Sequence, residues 1–208
     1  MIEIFTDVLC PWCYIGKRRV GAALADLQGR DRPELVWRSF ELDPGASRTP
    51  GETAAEAMVA WWGDQAPARV AKIQAIGAAD GLELDLHAAR PVSSFDAHRL
   101  SHLAADHGLA DQMMERLFRG YHTEGLDVAD LRVLERLGVE VGLEAAEVRD
   151  MLAGDAYAAD VRADERRAAE LGVSGVPSVV IDGGPPFSGV QPPAALRALF
   201  EQAGRSRV

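Results

Sequence analysis

The amino-acid sequence predicts an α/β fold in which a long all-helical segment interrupts a small sheet. Near the N-terminus a strand precedes a Cys-x-x-Cys pair and an amphipathic helix. Near the C-terminus a strand, a hairpin turn and a closing helix follow one another, whereas residues 43–165 carry helical patterns and no convincing strand. We therefore expect a discontinuous α/β domain, residues 1–42 and 166–208, and an inserted all-α domain, residues 43–165.

The N-terminal elements are predicted from propensity and apolar spacing. Residues 2–6 are rich in β-formers and predict a strand. Pro11 favours a helix start, because a backbone N–H in the first helical turn has no acceptor within the helix and its absence in proline costs nothing. The apolar spacing of the residues that follow predicts a helix up to Gly29. A second strand is predicted at residues 35–40. Its continuous apolar pattern predicts burial on both faces.

Apolar stripes at helical spacing, separated by Gly, Pro or Asp, predict a series of helices in the inserted segment. They fall at about residues 53–63, 67–80, 94–107, 110–122, 129–138 and 144–153.

The C-terminal part returns to mixed character. A helix is predicted from about residue 156 to Gly172, followed by a buried strand at 178–181. Asp182-Gly183-Gly184 predicts a hairpin turn, with a return strand at 187–190. A closing helix is expected at residues 193–203.

Composition excludes several classes of function. With 48% hydrophobic and 26% charged residues, the 208-residue chain is typical of a folded globular protein. A net charge of -10 opposes binding to nucleic acid or to an anionic membrane, so neither is expected as a partner. No secretory leader or membrane-spanning stretch is evident, and the two cysteines leave none for structural disulfides elsewhere. We expect a cytoplasmic protein.

The two cysteines, Cys10 and Cys13, lie three residues apart at the predicted helix start, with Pro11 and Trp12 between them. This spacing favours thiol–disulfide exchange. Cys10 would face unpaired backbone N–H groups at the helix N-terminus, which favour its thiolate, so it is the expected nucleophile. Cys13, one turn further in, is the expected resolving thiol. Because Trp12 carries no positive charge, we expect a less oxidising protein than one with histidine there.

The same pair is compatible with two other interpretations, half of a zinc site or an inert structural disulfide. A zinc site would need two further ligands, and His98 and His102 have the i, i+4 spacing that could supply them. Pro11 and the adjoining helix favour the redox interpretation, and we expect no metal and no dissociable cofactor.

Several motifs together resemble one known family. These are CPWCYIGK at residues 10–17, VSGVP at 173–177 and SGVQP at 188–192, with DAHRL at 96–100 and the segment 117–125 in the helical part. They resemble the DsbA family of thiol–disulfide oxidoreductases, and within it the FrnE-like branch. The resemblance covers essentially the whole chain and implies a thioredoxin-like fold with a helical insertion.

The resemblance also implies a second part of the site. It places a cis-proline at Pro177, opposite the cysteines, so that the backbone of Val176 faces a substrate. It places His98 and Arg99 near the groove, where a solvated or hydrogen-bonded helix face is the competing interpretation.

Asp7 could relay a proton to Cys13, although a solvated carboxylate at the strand end is the favoured interpretation.

We therefore expect a thiol–disulfide oxidoreductase or isomerase that works through mixed disulfides. The catalytic residues would be Cys10, Cys13 and Pro177, and the substrate-binding residues Pro11, Trp12, Val176, His98 and Arg99. Protein or small-molecule thiols and disulfides are the expected substrates, with glutathione or the thioredoxin system as redox partner. The alternatives are a glutathione-dependent transferase or isomerase of related fold, and a zinc-binding or chaperone-like module.

Overall fold

Residues 1–25, 27 and 33–205 are described by a computed structural model of the chain. The strands are β1 (Ile2–Thr6), β2 (Leu35–Ser39), β3 (Ser178–Ile181) and β4 (Phe187–Ser188). The helices are α1 (Pro11–Leu24), α2 (Ala54–Trp62), α3 (Ala66–Ala79), α4 (Phe95–Asp106), α5 (Ala110–His122), α6 (Leu131–Val141), α7 (Ala145–Ala153), α8 (Ala158–Glu170) and α9 (Pro193–Arg205). A short 3-10 turn, Gly63–Gln65, joins α2 to α3.

The four strands form one sheet in the order β2, β1, β3, β4. β1 pairs in parallel with β2 and antiparallel with β3, which pairs antiparallel with β4. β1 is therefore central, and all of its residues are buried. β2 lies at the edge, and only Ser39 of its five residues is fully buried. The prediction that β2 is buried on both faces is wrong, because this strand has a single neighbour in the sheet.

Alternation along β1 divides the core between the two faces of the sheet. Ile2 and Ile4 pack against apolar side chains of α1 and α9. Phe5 packs on the opposite face with Ala168 of α8 and with Val180. A third and larger cluster runs from the loop after β1 and the start of α1 through the helices of the insertion. The N-terminus of α1 is thus embedded in the core of the helical region.

Ion pairs connect α8 to the strands β1 and β2. Glu3 in β1 is fully buried and accepts two hydrogen bonds of 2.6 Å from Arg167 of α8. Arg38 in β2 donates to Glu3 and also to Asp164 of α8, both at 2.9 Å. The predicted domain boundary at residue 165 therefore falls inside a helix that contacts both the sheet and α4. The division into two domains stays a prediction.

The predicted elements inside the insertion are found with ends that differ by a few residues. Capping residues explain two of the starts: Thr53 forms a capping box with Glu56 at α2, and Asp130 accepts the backbone N–H of Arg132 at α6. α1 ends at Leu24, and the predicted end at Gly29 lies outside the described residues. No helix in the described part of the chain is both long and apolar enough to cross a membrane.

Candidate active site

Cys10 occupies the N-cap of α1, and Pro11 is the first helical residue, as its fixed φ favours. The backbone N–H of Cys10 donates to the carbonyl of Asp7 at 3.1 Å, and the N–H of Cys13 donates to the carbonyl of Cys10 at 2.9 Å. The Cys10 side chain is 6% exposed. It lies at the positive end of the helix dipole, where a thiolate is favoured.

Residues 176 and 177 face Cys10 from the other end of the chain. The Val176–Pro177 peptide bond is cis, as the resemblance implied. The carbonyl oxygen of Val176 lies 3.7 Å from the Sγ of Cys10 and accepts its hydrogen bond. The site therefore brings together two segments that are 166 residues apart in sequence.

Two glycines allow Pro177 to pack closely against α1. A Cβ added to Gly16 of α1 would lie 2.9 Å from the Cγ of Pro177, closer than any real contact. A Cβ on Gly189 would lie 3.2 Å from the Cβ of Pro177, and the N–H of Gly189 donates to the Pro177 carbonyl at 2.9 Å. The absence of side chains at these two glycines thus fixes where Pro177 sits relative to the dithiol.

An open cleft of about 680 Å³ runs beside the dithiol. Trp12 forms one wall, and Val176, Pro177, Phe187 and Ser188 form the other. Its lining combines backbone with apolar side chains, which suits an extended polypeptide or a small organic thiol. We refer to this space as the front cleft.

Cys13 lies deeper than Cys10, with 1% of its side chain exposed. Burial raises the pKa of Cys13 well above its ordinary value, and the neighbouring Cys10 raises it further. The Thr6 hydroxyl and the backbone of Asp7 act in the opposite direction. Both cysteines are free thiols. Cys13 is thus nearly inaccessible and hard to ionise in the free dithiol, which agrees with the role expected of a resolving thiol.

Asp7 is a fully buried carboxylate directly after β1. It accepts hydrogen bonds from the backbone N–H of Leu42 at 2.6 Å and of Leu9 at 3.2 Å, and its Oδ1 lies 3.6 Å from the Nε2 of His98. Burial raises the pKa of Asp7, but His98 and these N–H groups lower it more, so it lies below its usual value. The interpretation of Asp7 as a solvated strand-end carboxylate is wrong.

His122, at the end of α5, was not identified from the sequence. Its ring is fully buried beside the stacked rings of Tyr14 and Phe118 and contacts Tyr121 edge-on at 4.8 Å between ring centroids. Burial lowers the pKa of His122 to about 4, although the backbone of Val8 and Cys10 and the charge of Asp7 oppose this. A neutral histidine therefore supports the loop that leads into Cys10. A lone histidine in an apolar pattern gives no sequence signal for such a position.

His98 and Arg99 are both buried, which excludes a solvated helix face and leaves the hydrogen-bonded face that was also considered for them. His98 lies behind the dithiol, beside Asp7. Arg99 donates to Asp96 at 2.7 Å and to the carbonyls of Gly154 at 2.7 Å and Ala156 at 2.8 Å. Because the Arg99 guanidinium donates its hydrogen bonds to groups of its own chain, it is not free to bind a substrate. This geometry argues against the substrate-binding role predicted for Arg99.

Glu115 of α5 holds the active-site helix to the insertion. It accepts hydrogen bonds from the Tyr14 hydroxyl and from Arg18, both at 2.9 Å, and lies 3.3 Å from the Lys17 ammonium. Burial and the Glu115 carboxylate raise the pKa of Tyr14 to about 12, so its hydroxyl stays a donor. The insertion therefore positions the first turns of α1.

The zinc interpretation required His98 and His102 to join the cysteines. His102 instead lies 3.2 Å from Asp164 and 3.1 Å from the Ser39 hydroxyl, while His98 faces Asp7. Among the described residues, no group of three or more His, Cys, Asp or Glu side chains is arranged to hold a metal ion.

A dithiol at a helix N-cap, faced by a cis-proline segment beside a four-stranded mixed sheet, defines a thiol–disulfide oxidoreductase on a thioredoxin-like fold. The chain belongs to the family described as the DSBA-like thioredoxin domain, which it matches over residues 1–201. The predicted fold class, family and oxidoreductase class are confirmed. The FrnE-like branch stays a prediction.

Two solved structures and one sequence relative resemble the chain over nearly its whole length. A probable DsbA oxidoreductase from Streptomyces coelicolor is 40% identical, with a TM-score of 0.91 over 100% of this chain and 91% of that one. The cytosolic disulfide reductase DsbM of Pseudomonas aeruginosa, in a structure with GSH, is 25% identical, with a TM-score of 0.65 over 100% and 99%. The uncharacterized protein YwbO of Bacillus subtilis is 26% identical over 97% of this chain and 94% of that protein.

Proposed function

We propose that this chain is a cytoplasmic thiol–disulfide oxidoreductase in which Cys10 is the nucleophile and Cys13 the resolving thiol. The observation that carries the proposal is the asymmetry of the pair. Cys10 lies at the helix N-cap with its Sγ 3.7 Å from the Val176 carbonyl, while Cys13 lies beneath it, nearly inaccessible. An incoming disulfide in the front cleft meets Cys10 first.

The exchange proceeds in two steps. The Cys10 thiolate attacks one sulfur of the substrate disulfide, forms a mixed disulfide and expels the other substrate sulfur as a thiolate, which takes up a proton. The Cys13 thiolate then attacks the Cys10 sulfur, closes the Cys10–Cys13 disulfide and releases the second substrate thiol. Two electrons pass from the dithiol to the substrate. Two glutathione molecules, or a thioredoxin-type dithiol, return the chain to its reduced form.

The groups that raise the pKa of Cys13 explain why the two steps occur in this order. One of these groups is Cys10, whose thiolate accepts a hydrogen bond from the Cys13 thiol and repels a second negative charge. Once Cys10 is bound in a mixed disulfide it carries no charge, so this contribution disappears while the Thr6 hydroxyl still favours the Cys13 thiolate. Cys13 therefore ionises more readily after the substrate has been captured than before.

Pro177 and Val176 shape substrate access in this proposal, and Trp12 lines the same cleft. Pro11 is buried in α1 and does not line the cleft, so its substrate-binding role stays a prediction. A substrate segment in the front cleft would pair with the backbone at Val176 as an added strand does. Protein or small-molecule disulfides serve as substrates in this direction, and glutathione serves as reductant. The 25% identity to DsbM, a cytosolic disulfide reductase whose structure with GSH is known, supports the reducing direction and the location.

Reduction of insulin disulfides with glutathione as electron donor tests the proposal. The wild-type chain should turn over, and Cys10→Ser should fall to the uncatalysed background because a serine hydroxyl is not ionised at neutral pH. Cys13→Ser should form one mixed disulfide per chain, detectable by mass spectrometry, and then stop.

The same variants separate the alternatives. A glutathione-dependent transferase would stay active in Cys13→Ser, since such a reaction needs no resolving thiol. A chaperone-like module would suppress insulin aggregation equally in wild type and in both variants. Either result would contradict the exchange function.

A further inference from the structure

A second cavity lies behind the dithiol, away from the front cleft. It encloses about 780 Å³ between α1, the edge strand β2 and the helices α4 and α5. Thr6, Lys17, Trp37, His98, Ser101 and Met114 are among the residues that line it. We call it the rear cavity. Its volume is in the range of small-molecule binding sites, and no step of the exchange proposed above uses it.

Two buried polar atoms in the wall of the rear cavity have no hydrogen-bond partner among the described residues. They are the Oγ1 of Thr6 and the Nε1 of Trp37. Thr6 is 1% exposed. The Nε2 of His98 also lies in this wall, but it faces the Asp7 carboxylate at 3.6 Å. Buried polar groups in folded proteins are nearly always hydrogen-bonded, so two unpaired donors around one space indicate that a binding partner belongs there.

The unpaired atoms restrict the chemistry of that partner. The indole N–H of Trp37 can only donate, and the Thr6 hydroxyl can donate to the same partner. The Lys17 ammonium lies 3.1 Å from Asp111 and 3.3 Å from Glu115, so its charge is already balanced. Other parts of the wall are apolar, including Val20 and Leu24. The walls thus suit an oxygen acceptor on a small apolar body.

We propose that the rear cavity is a binding site for a small molecule with an apolar body and a carboxylate or carbonyl oxygen, which accepts hydrogen bonds from Trp37 and Thr6. This binding does not depend on the exchange function proposed above.

Benzoate is the probe that tests the site, with benzamide as the neutral carbonyl and benzylamine as the cation of similar shape. The readout is the indole N–H resonance of Trp37 in ¹⁵N-labelled protein, assigned by its loss in Trp37→Phe. Benzoate, benzamide or both should shift this resonance saturably. The probe that binds shows whether the site takes a carboxylate or a neutral carbonyl group. Benzylamine should not shift it, because it offers no acceptor oxygen.

Two variants tie the shift to the cavity. Thr6→Val should weaken binding about five-fold, the value of one neutral hydrogen bond. Gly21→Leu should abolish it, because Gly21 lines the cavity and no atom lies within 4 Å of an added Cβ, so the new side chain enters open space. Cys10→Ser should bind as the wild type does, which separates this site from the exchange chemistry.

A shift of Trp37 that is the same for all three probes, or that survives both Thr6→Val and Gly21→Leu, would overturn the proposal. So would the absence of any saturable shift, which would leave ordered water as the only occupant.

Discussion

The front and the rear of the dithiol differ in what they offer to solvent. At the front, Cys10 lies against the backbone carbonyl of Val176, which lines an open cleft together with Trp12. At the rear, Cys13, Thr6 and Asp7 are each 1% exposed or less. In the exchange that we propose, the front selects the disulfide that is attacked, whereas the rear determines when the second thiol ionises. One protein can therefore retain its resolving chemistry while the front cleft adapts to different substrates.

The difference also explains where substitutions should be costly. Groups that line the open front cleft, such as Trp12 and Val176, are only partly buried, so their replacement should change exchange more than stability. Groups at the rear are desolvated and depend on one another, so their loss changes both. The predictions below test that contrast, from the largest expected effect to the smallest.

Replacing Asp7 with Asn should have the largest effect on stability. The amide keeps the shape of the side chain, but it leaves His98 without its carboxylate and turns an N–H donor toward one of the backbone N–H groups of Leu9 and Leu42. We expect the free energy of unfolding to fall by about 3 kcal/mol, the upper end of the cost of leaving buried polar groups without their hydrogen-bond partners. Urea denaturation at pH 7 measures it.

Asp43→Asn is the matched control for Asp7→Asn. Asp43 is exposed and accepts one hydrogen bond, from the backbone N–H of Gly45 at 3.0 Å. Its replacement should change stability by less than about 0.5 kcal/mol. Equal effects at the two positions would show that Asp7 is not the desolvated group described above.

Replacing His122 with Phe should flatten the pH dependence of stability. The folded pKa of His122 is about 4 against an ordinary 6.5, so the unfolded chain takes up a proton that the folded chain does not. Stability is therefore lost as pH falls from about 6.5 to about 4, by about 3 kcal/mol at most. Phe keeps the aromatic stacking with Tyr14 and Phe118 and removes this loss.

Urea denaturation of the wild type and His122→Phe at several pH values between 7 and 4 measures the difference. His107→Phe serves as the control, because His107 is 42% exposed and lies beside Glu147 at the surface. A wild-type slope that persists unchanged in His122→Phe would contradict a neutral His122 in the fold. Asp7 adds a loss of stability of its own only at the acid end of this range, because its folded pKa is lowered and its unfolded pKa is about 4.

Much of this fold could be predicted because its signals are local. Apolar spacing and capping residues such as Thr53 and Asp130 act within one helical turn, and the inserted helices were found within a few residues of their ends. The edge position of β2 depends on which strands become its neighbours, a long-range property that apolar content does not encode.

The site divides in the same way. The dithiol was predictable because its two sulfurs and its helix start lie within four residues of sequence. Asp7 was misjudged because its burial arises from Leu42 and from His98 of α4, which are distant in sequence. His122 was missed for the same reason, since its environment combines α1, α5 and the loop after β1.

The smallest expected effects distinguish two glycines of α1. Gly16→Ala gains about 1 kcal/mol in helix propensity, but its Cβ would press on the rigid ring of Pro177 at 2.9 Å, at a cost of about 1 to 3 kcal/mol. We expect a net loss of about 1 kcal/mol and slower insulin reduction, because Pro177 is displaced in the front cleft.

Gly21→Ala meets no atom within 4 Å, so it should stabilise the chain by up to about 1 kcal/mol and leave exchange unchanged. Equal stabilisation by both substitutions would mean that Pro177 does not rest on Gly16, and the front cleft would then lose the contact that positions it.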